Sequence, residues 1–563
     1  MKKASNFLAV IFAVIALFSL SACSEKDEWD GVQVSDNSLV QTAQVKSGLV
    51  NPPTVVCDLA TKETYVKLTE SKTKPASVIL RLNDKFNVVG AKGERLCSFS
   101  ELYKDTLKGK IIPIIYLSAE ADVRRAIKLF AERYDLLDTA VMSDNPSYVK
   151  TVREKHQKIG GIVEFNELED VYDAVRITNA NLASVAVIPQ SIATKENVLY
   201  LQARFRTVWV RPENSQKLNL YNSINSGAYG IVSEDYESVT KVLGEYDDFS
   251  STRMPFVVAH RGLPNSYNEN SVSGVKASIA AGATHLELDG YLTADNRIAM
   301  MHDYTIDRTS DGEGVIENYT LEKLQKFKLD LFEPYEPIPS LDDVFGEMKG
   351  TDTVLLFEVK SEKVEIVNAL KTALEKHRMQ RQVVVITYHL KILEAMSRYL
   401  PEIPTAYLSS VFEDAMEDAI LNFRYLNTGT STPFNGVTPE MNAVMRDRGI
   451  VGWYWTYDTV TDMNIAVSNG FTGLTTNVAD KFVSSNSTKY IFVKGDSNVN
   501  VVPVVGEQIS VIGVTFNGME EKINGKVFYV EDFGDKYAVI ASFSAGEKTH
   551  LPAIYTQIYY VGK

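Results

Sequence analysis

The sequence is poor in cysteine and has no excess of positive charge. Its 563 residues include 3 cysteines, too few for the disulfide framework of a small secreted domain. The 58 lysines and arginines are outnumbered by 72 aspartates and glutamates, so the formal net charge is −14. A chain without a basic surface is not expected to bind nucleic acid. Hydrophobic residues at 45% and charged residues at 23% are ordinary for a globular protein and exclude a disordered chain.

The N-terminus has the pattern of a secretory signal. Two lysines precede an apolar run over residues 7–20, and two small residues follow it. The run is shorter than the ~20 residues that a permanent transmembrane helix needs. Leu-Ser-Ala-Cys at residues 20–23 resembles the lipobox of bacterial lipoproteins, which implies that residues 1–22 are removed and Cys23 is lipidated. Ordinary secretion with an incidental cysteine is the alternative.

The residues around the predicted lipidation site also indicate a location. Ser24 is not the aspartate that resembles an inner-membrane retention signal, and Lys-Asp-Glu at 26–28 resembles the surface-export signal of some Gram-negative lipoproteins. We therefore expect an outer-membrane lipoprotein that faces the periplasm or the cell surface and contacts the membrane through a lipid anchor at Cys23. In that oxidising compartment Cys57 and Cys97 either form a disulfide or remain two buried thiols.

The remaining chain divides by its pattern of apolar residues. Residues 23–53 are polar and end in Asn-Pro-Pro, which is typical of a tether. From residue 54 to 486, apolar runs such as Val354–Val359 alternate with amphipathic helical stretches, a pattern that predicts parallel sheet. Residues 487–563 contain short β-like runs without helices between them, which predicts a small all-β sandwich domain.

An internal repeat divides the α/β part into two copies. Gly-Ala-Tyr-Gly at 227–230 recurs as Gly-Phe-Thr-Gly at 470–473, and other short matches keep the same order at offsets near 243. A shared offset across several elements is hard to obtain by chance. We therefore predict two copies of one fold, at residues 54–248 and 254–486.

The second copy contains most of the side chains capable of chemistry. It holds five of the seven histidines. Glu287 and Asp289 are two residues apart and so lie on one face of a strand, as do Glu358 and Lys360. Groups at the C-terminal ends of strands are where parallel α/β barrels form active sites. The candidate residues at such positions are His260, Arg261, Glu287, Asp289, His302, Glu358 and Lys360.

These residues lie in motifs that resemble those of the glycerophosphodiester phosphodiesterase family. The matching motifs, in the family's order, are His-Arg-Gly at 260–262, Glu-Asn-Ser at 269–271, Glu-Leu-Asp at 287–289, His-Asp at 302–303, Glu-Val-Lys at 358–360 and Trp-Thr at 455–456. The resemblance covers about two fifths of the chain. It implies a TIM barrel, a divalent cation, and hydrolysis of glycerophosphodiesters to an alcohol and glycerol phosphate.

Three positions depart from the family's pattern. Asn268 replaces the usual proline, Asp458 stands where asparagine is common, and Asn477 replaces an aspartate near the last strand. None of them is a catalytic position of the family. Asp458 is expected near the barrel mouth, where it could alter headgroup choice.

The chemistry of a phosphodiester accounts for the charged candidates. Glu287, Asp289 and Glu358 offer the carboxylate oxygens that Ca²⁺ or Mg²⁺ prefers, and such a cation polarises a phosphoryl group. Arg261 and Lys360 add positive charge against the substrate anion. The set therefore predicts a Ca²⁺ or Mg²⁺ site beside a phosphate-binding site.

The two histidines and Trp455 are candidates for proton transfer and for contact with the alcohol part of the substrate. His260 and His302 have the intrinsic pKa of a proton donor and acceptor, although the sequence does not assign either role to either residue. The nucleophile is water or the glycerol hydroxyl of the substrate itself. Trp455 is a candidate for stacking on the alcohol or for core packing, and His285 is predicted to be a core histidine.

The first copy is predicted to be a degenerate barrel. Ser118 and Ser361 each follow an apolar run. An alignment of these two serines places Ile115 at the position of Glu358 and Leu117 at the position of Lys360. A barrel without metal carboxylates and proton-transfer groups cannot perform this chemistry. We expect residues 54–248 to act as a spacer, a docking surface or a stabilising partner.

Two other functions compete with the phosphodiesterase hypothesis. One is a phospholipase of the same barrel type that acts on the headgroups of intact lipids. It would favour an exposed apolar rim at the barrel mouth, which the sequence does not obviously supply. The other is a non-catalytic surface lipoprotein whose C-terminal β domain binds a glycan or a protein.

Overall fold

The computed structural model describes residues 39–133, 136–485, 488–546 and 550–563. The predicted signal peptide, Cys23 and the first part of the predicted tether lie outside these residues.

The first copy is a closed barrel of eight parallel strands with a hairpin attached to the second. Pairing of the first strand with both the last and the second closes the barrel. The barrel strands are β1 (Thr54–Asp58), β2 (Ser77–Leu82), β5 (Ile112–Tyr116), β6 (Ala140–Ser143), β7 (Gly160–Glu164), β8 (Val185–Pro189), β9 (Thr207–Arg211) and β10 (Gly230–Ser233), and the hairpin is β3 (Asn87–Val89) and β4 (Arg95–Ser98). The helices are α1 (Lys62–Glu70), α2 (Phe99–Leu102) continued by a π-helix (Tyr103–Leu107), α3 (Glu120–Glu132), α4 (Pro146–Lys155), α5 (Val171–Ala180), α6 (Lys195–Gln202), α7 (Lys217–Asn225) and α8 (Tyr236–Leu243).

The second copy repeats this architecture after a short linking strand, β11 (Ser250–Ser251). Its eight parallel strands are β12 (Phe256–His260), β13 (His285–Leu292), β17 (Val354–Val359), β18 (Val383–Thr387), β19 (Thr405–Leu408), β20 (Gly429–Pro433), β21 (Gly452–Tyr457) and β22 (Gly473–Thr476). Strand β14 (Ile298–Met300) pairs antiparallel with the C-terminal end of β13, and β15 (Lys328–Leu329) pairs antiparallel with β16 (Glu336–Pro337). The helices are α9 (Val272–Ala281), α10 (Leu321–Leu324), α11 (Leu341–Met348), α12 (Glu365–His377), α13 (Leu390–Tyr399), α14 (Met416–Leu426), α15 (Pro439–Arg446), α16 (Val460–Ser468) and α17 (Ala479–Ser484), with 3₁₀ turns at Ile316–Asn318, Gln380–Gln382, Glu413–Ala415 and Phe434–Gly436.

The apolar runs become strands because a barrel strand is covered on both faces. All six residues of β17 and all five of β18 are buried, between the barrel interior and the outer helices. Polar residues set the helix boundaries. The Ser340 hydroxyl accepts a hydrogen bond from the Asp343 N–H, and the Asp343 carboxylate accepts one from the Ser340 N–H, which starts α11. The predicted TIM-barrel fold is confirmed.

The two barrels are stacked through the N-terminal ends of their strands. Phe205, just before β9, lies with its ring centroid 4.3 Å from that of Trp453 in β21. His285, the first residue of β13, is hydrogen-bonded through Nε2 to the carbonyl of Ala203 at 2.8 Å. Because these contacts join N-terminal faces, the two C-terminal mouths point away from each other. The first barrel therefore cannot cover the mouth of the second.

The C-terminal region is all β, as predicted, and its strands are hydrogen-bonded in one sheet. These strands are β23 (Tyr490–Gly495), β24 (Gln508–Thr515), β25 (Glu520–Asp532), β26 (Lys536–Phe543), β27 (Ala553–Tyr555) and β28 (Tyr559–Gly562). The sheet curls until Tyr559 lies against Gly495. The described strands of this region thus form one curled sheet, and β11 pairs with β27 at one edge. Phe528 packs on Tyr246 and so joins this sheet to the first barrel.

The described part of the predicted tether lies against both barrels. The Thr42 hydroxyl donates to Asp447 at 2.6 Å, and Leu49 is buried and forms a bridge with Ser250. Cys57 and Cys97 are free, buried thiols, so they do not pair. Among the described residues, no helix combines the length and apolar character that crossing a membrane requires.

Candidate active site

Three carboxylates meet at the C-terminal end of the second barrel. Glu287 and Asp289 lie two residues apart on β13, and the strand pairing places Asp289 directly beside Glu358 of β17. One oxygen from each lies within 4.8 Å of the others. All three side chains are buried. Two adjacent strands therefore bring together three negative groups that are 71 residues apart at most along the chain.

Burial and mutual repulsion disturb the ionisation of this cluster. Burial raises the pKa of Glu287 well above its usual range, and the charges of Asp289 and Glu358 raise it further. Burial and the charge of Asp289 raise the pKa of Glu358 to about 7. Asp289 Oδ1 has no hydrogen-bond partner although its residue is fully buried. Crowded carboxylates with an unpartnered oxygen fit a divalent cation, which would remove the repulsion and supply the missing contact.

Two cationic side chains border the carboxylate cluster. Lys360 Nζ lies 2.8 Å from Glu358 Oε1 and 3.8 Å from Asp289 Oδ1. Arg261 Nε lies 3.7 Å from Asp289 Oδ2, and its backbone N–H donates to Glu287 Oε2. When all three carboxylates are ionised, as cation binding requires, three carboxylates against two cations leave one net negative charge, which a divalent cation would convert to one net positive charge. The loaded site would then attract a phosphodiester monoanion.

The two predicted catalytic histidines are each held through Nδ1. His260 Nδ1 lies 2.6 Å from Asn477 Oδ1, and His302 Nδ1 lies 2.6 Å from Asp303 Oδ1. An oxygen acceptor at Nδ1 leaves Nε2 of each ring available to a ligand. Burial, followed by the charge of the neighbouring guanidinium, lowers the pKa of His260.

These groups line one cavity of about 140 Å³ at the barrel mouth. Trp455, half-buried, forms part of its wall, together with residues that the sequence patterns do not single out. The lining residues are His260, Arg261, Glu287, His302, Glu358, Lys360, Ile386, Tyr388, Leu408, Ser431, Trp455, Thr456 and Thr475. The cavity thus combines two carboxylates of the acidic cluster, both cations and both histidines with apolar side chains.

Comparison with known proteins assigns this barrel to a family. Residues 260–481 match the model of the glycerophosphoryl diester phosphodiesterase family. The second barrel belongs to this family. A glycerophosphodiester phosphodiesterase of Caldanaerobacter subterraneus subsp. tengcongensis is 28% identical over 243 residues, which cover 40% of this chain and 96% of that protein. One of Bacillus subtilis is 26% identical over 251 residues, covering 40% and 84%.

A solved structure is also similar. The Oleispira antarctica phosphodiesterase in complex with the product sn-glycerol-3-phosphate has 20% sequence identity and a TM-score of 0.38, and the match covers 41% of this chain and 96% of that chain. The match to the family model and the curated relatives confirm the predicted family and enzyme class, whereas the roles of individual residues stay predictions.

Two departures from the glycerophosphodiester phosphodiesterase pattern contact each other. Asn477 Nδ2 donates to Asp458 Oδ1 at 2.5 Å, while Asn477 Oδ1 accepts from His260. The carboxylate and the amide of the family's pattern have therefore changed places. His260 faces a neutral amide here, and Asp458 fixes the orientation of that amide rather than contacting the ring.

Strand register corrects the predicted alignment of the first barrel. The first and last strands pair in the same register in both barrels, with Thr54 opposite Gly230 and Phe256 opposite Gly473. The strand pairings run from β1 through β2 to β5 in the first barrel, and from β12 through β13 to β17 in the second. These pairings place Tyr116, not Ile115, at the position of Glu358. The alignment on serines was wrong by one residue because β17 has one residue more than β5.

The same register shows what replaced the metal cluster in the first barrel. Arg81 lies at the position of Asp289, and its guanidinium pairs with Asp58 at 2.6 Å and stands over the Tyr116 ring. Arg211 pairs with both Asp58 and Glu164. Ion pairs thus fill this mouth, and within the described residues the only cluster of three metal-binding side chains is the one in the second barrel.

The structure places the remaining predicted residues around the catalytic cavity or away from it. Asn270, fully buried, donates to Asp289 Oδ2 at 3.0 Å and accepts from the Asp289 N–H, so it braces the acidic cluster. Glu269 holds both Arg261 and Arg308. His285 lies at the opposite end of the barrel, where burial lowers its pKa to about 3, in agreement with its prediction as a core histidine.

Proposed function

We propose that the second barrel hydrolyses glycerophosphodiesters to an alcohol and glycerol phosphate with a divalent cation, Ca²⁺ or Mg²⁺. The observation that carries the proposal is the cluster of Glu287, Asp289 and Glu358, in which one oxygen from each residue lies within 4.8 Å of the others, with Glu287 and Glu358 lining the mouth cavity. When bound, the cation would polarise the phosphoryl group. The relatives' names support the same substrate class.

The cationic side chains would hold the phosphate. Arg261 and Lys360 both line the cavity beside the carboxylates. A guanidinium can donate two parallel hydrogen bonds to phosphate oxygens, and an ammonium adds a point charge. As negative charge grows on the phosphoryl oxygens during attack, these two groups stabilise it.

The partners of the two histidines support different roles. His302 is held through Nδ1 by the charged Asp303 carboxylate. His260 is paired with the Asn477 amide, which carries no charge. We therefore assign His260 as the general base that takes the proton of the attacking hydroxyl, and His302 as the general acid that protonates the leaving alcohol oxygen. The attacking group is water or the substrate's own glycerol hydroxyl.

The location and the accessory partners are proposals from the sequence. The lipobox-like residues 20–23 support lipidation of Cys23 and attachment to the outer membrane, with the protein facing the periplasm or the cell surface. The C-terminal β region is proposed to bind a glycan or a protein.

Choline release from glycerophosphocholine tests the activity. We expect turnover with Ca²⁺ or Mg²⁺ that stops with a chelator and returns when the metal is restored. His260→Ala and Glu287→Ala should each abolish turnover. Matched controls are His156→Ala and Glu164→Gln, a histidine and a strand-end carboxylate of the first barrel. Full activity of either site variant, or equal loss in a control, would contradict the assignment.

A further inference from the structure

Eight exposed apolar side chains lie along one half of the mouth of the second barrel. They follow the C-terminal ends of β17, β18 and β19 and the strands β14 and β15, in loops or, for Leu390, at the first residue of α13. The loop that carries Leu331 and Phe332 is held by the loop that follows β12, since Asn268 exchanges two hydrogen bonds with the Phe332 backbone. This mouth rim consists of Tyr304, Leu331, Phe332, Tyr335, Val364, Tyr388, Leu390 and Phe412.

The first barrel provides an internal control for this observation. It has the same eight-stranded barrel fold as the second barrel, and ion pairs lie at its mouth. Among its described residues, the only large apolar side chain that is exposed is Val66, on the outer helix α1. Exposed apolar groups are therefore not a general property of this architecture. Within the two barrels, most of the exposed large apolar side chains lie at the mouth that holds the catalytic groups. Such patches mark interaction sites.

Three cations near the rim residues are paired with carboxylates. The pairs are Arg308 with Glu269 and Asp303, Lys363 with Glu317 at 3.0 Å, and Lys391 with Glu362 at 2.9 Å. Acidic side chains such as Asp330, Glu333 and Asp414 are exposed between the rim residues. The rim therefore offers apolar contact without an excess of positive charge, so a polyanionic partner is not favoured.

We propose that the mouth rim binds a phospholipid surface and that the active site takes the phosphodiester of a phospholipid headgroup from it. The inference rests on the proposed function. A partner that covers this rim must present a phosphodiester to the cavity and apolar groups to the rim side chains. A phospholipid surface does both, because its phosphodiesters lie directly beside its acyl chains. Tyrosine, with three of the eight positions, is enriched at such interfaces because it joins an apolar ring to a polar hydroxyl.

The predicted anchor is long enough for this orientation. The described chain begins at Leu39, which packs against the core of the second barrel. The residues between Cys23 and Leu39 span at most ~55 Å when extended, at about 3.4 Å per residue. That reach exceeds the length of a barrel strand several times, since a five-residue strand measures ~17 Å. A lipid at Cys23 therefore permits the mouth to face the membrane.

The test compares soluble and membrane-bound substrate in the full chain. Choline release is measured from glycerophosphocholine in solution and from phosphatidylcholine vesicles, for wild type and for the double variant Leu331→Ser/Phe412→Ser. These two residues lie on different loops of the rim, after β15 and after β19. We expect release from vesicles to fall by at least about tenfold, because two apolar contacts with lipid are lost. Hydrolysis of glycerophosphocholine should stay within about twofold. Release from vesicles should persist in about 0.5 M NaCl, since apolar contacts are not screened.

Controls separate this inference from the proposed function. Ile465→Ser removes an equally exposed side chain from the outer helix α16 and should change neither rate. Hydrolysis of glycerophosphocholine without release from vesicles, or equal losses on both substrates, would overturn the rim proposal alone. Inactivity on both substrates would refute the proposed function. In that case hydrogen exchange tests the rim proposal, since backbone exchange should slow in residues 329–337 and 410–414 when vesicles are added. Unchanged exchange there would refute the rim proposal.

Discussion

The exchanged pair Asp458 and Asn477 provides a sharp test of the role of His260. In the double variant Asp458→Asn/Asn477→Asp, the side chain that accepts from His260 Nδ1 becomes a carboxylate. In the structure the accepting Asn477 Oδ1 lies 2.6 Å from His260 Nδ1. The hydrogen bond between the two side chains, 2.5 Å in the structure, is retained with its donor and acceptor reversed. Shape and volume barely change, so the variant alters the charge beside the ring and little else.

The size of the effect follows from the distance. Two unit charges about 4 Å apart interact by about 4 kcal/mol at an effective dielectric constant of 20. Desolvation reduces that value, and an opposite charge in contact typically shifts a pKa by about 1–3 units. The new carboxylate should therefore raise the pKa of His260, which burial now holds below its usual value. A base works only when neutral, so the acidic limb of the pH profile should move to higher pH by about 1 unit or more.

The assay is the pH dependence of kcat/KM for glycerophosphocholine at saturating metal. The single variant Asn477→Asp is the control, because it places two carboxylates in contact and should be less stable than the double variant. Histidine NMR signals report the pKa of His260 directly. An unchanged acidic limb in the double variant, with a raised His260 pKa, would refute the assignment of His260 as the base. An unchanged His260 pKa would refute the electrostatic reasoning.

Three further predictions concern the metal cluster, the cavity wall and the barrel interface. With chelator present, the free energy of unfolding should fall by about 1–3 kcal/mol between pH 5 and pH 7.5, since Glu287 and Glu358 bind protons more tightly when folded. Denaturant titrations at each pH measure this loss of stability. Added metal should remove the pH dependence. Trp455→Ala should raise KM about tenfold with a smaller change in kcat, because an aromatic contact contributes about 1–1.5 kcal/mol; steady-state kinetics measure it. Trp453→Ala should destabilise the chain by about 3–5 kcal/mol through a cavity against Phe205, measured by urea unfolding.

Each of these predictions has a contradicting outcome. Stability that rises with pH in chelator would mean that the carboxylates are not strained in the folded state. A change confined to kcat in the Trp455 variant would indicate that the indole acts on the reacting atoms rather than on substrate binding. A loss below about 1 kcal/mol at Trp453 would show that the barrels do not stabilise each other through this contact.

Local patterns were sufficient for much of the fold. Runs such as Val354–Val359 are apolar throughout because both faces of a barrel strand are covered, so alternation with helices predicts the parallel sheet. The repeated glycine at Gly230 and Gly473 marks the same close approach in both copies, beneath the rings of Trp209 and Trp453. The one-residue error at Ile115 arose because sequence matches anchor on short motifs, whereas register depends on hydrogen bonds between distant strands.

The sequence by itself determined the fold class, the family and the chemical types at the active site. These follow from local periodicity and from motifs whose residues must follow strands. The tertiary structure decided the stacking of the barrels through their N-terminal faces, the pairing of Asp458 with Asn477, and the mouth rim. These features depend on which loops meet in space and on which side chains remain uncovered after packing. Apolar residues such as Leu331 and Phe412 look alike in a sequence whether they are buried or exposed, and only packing tells the two apart.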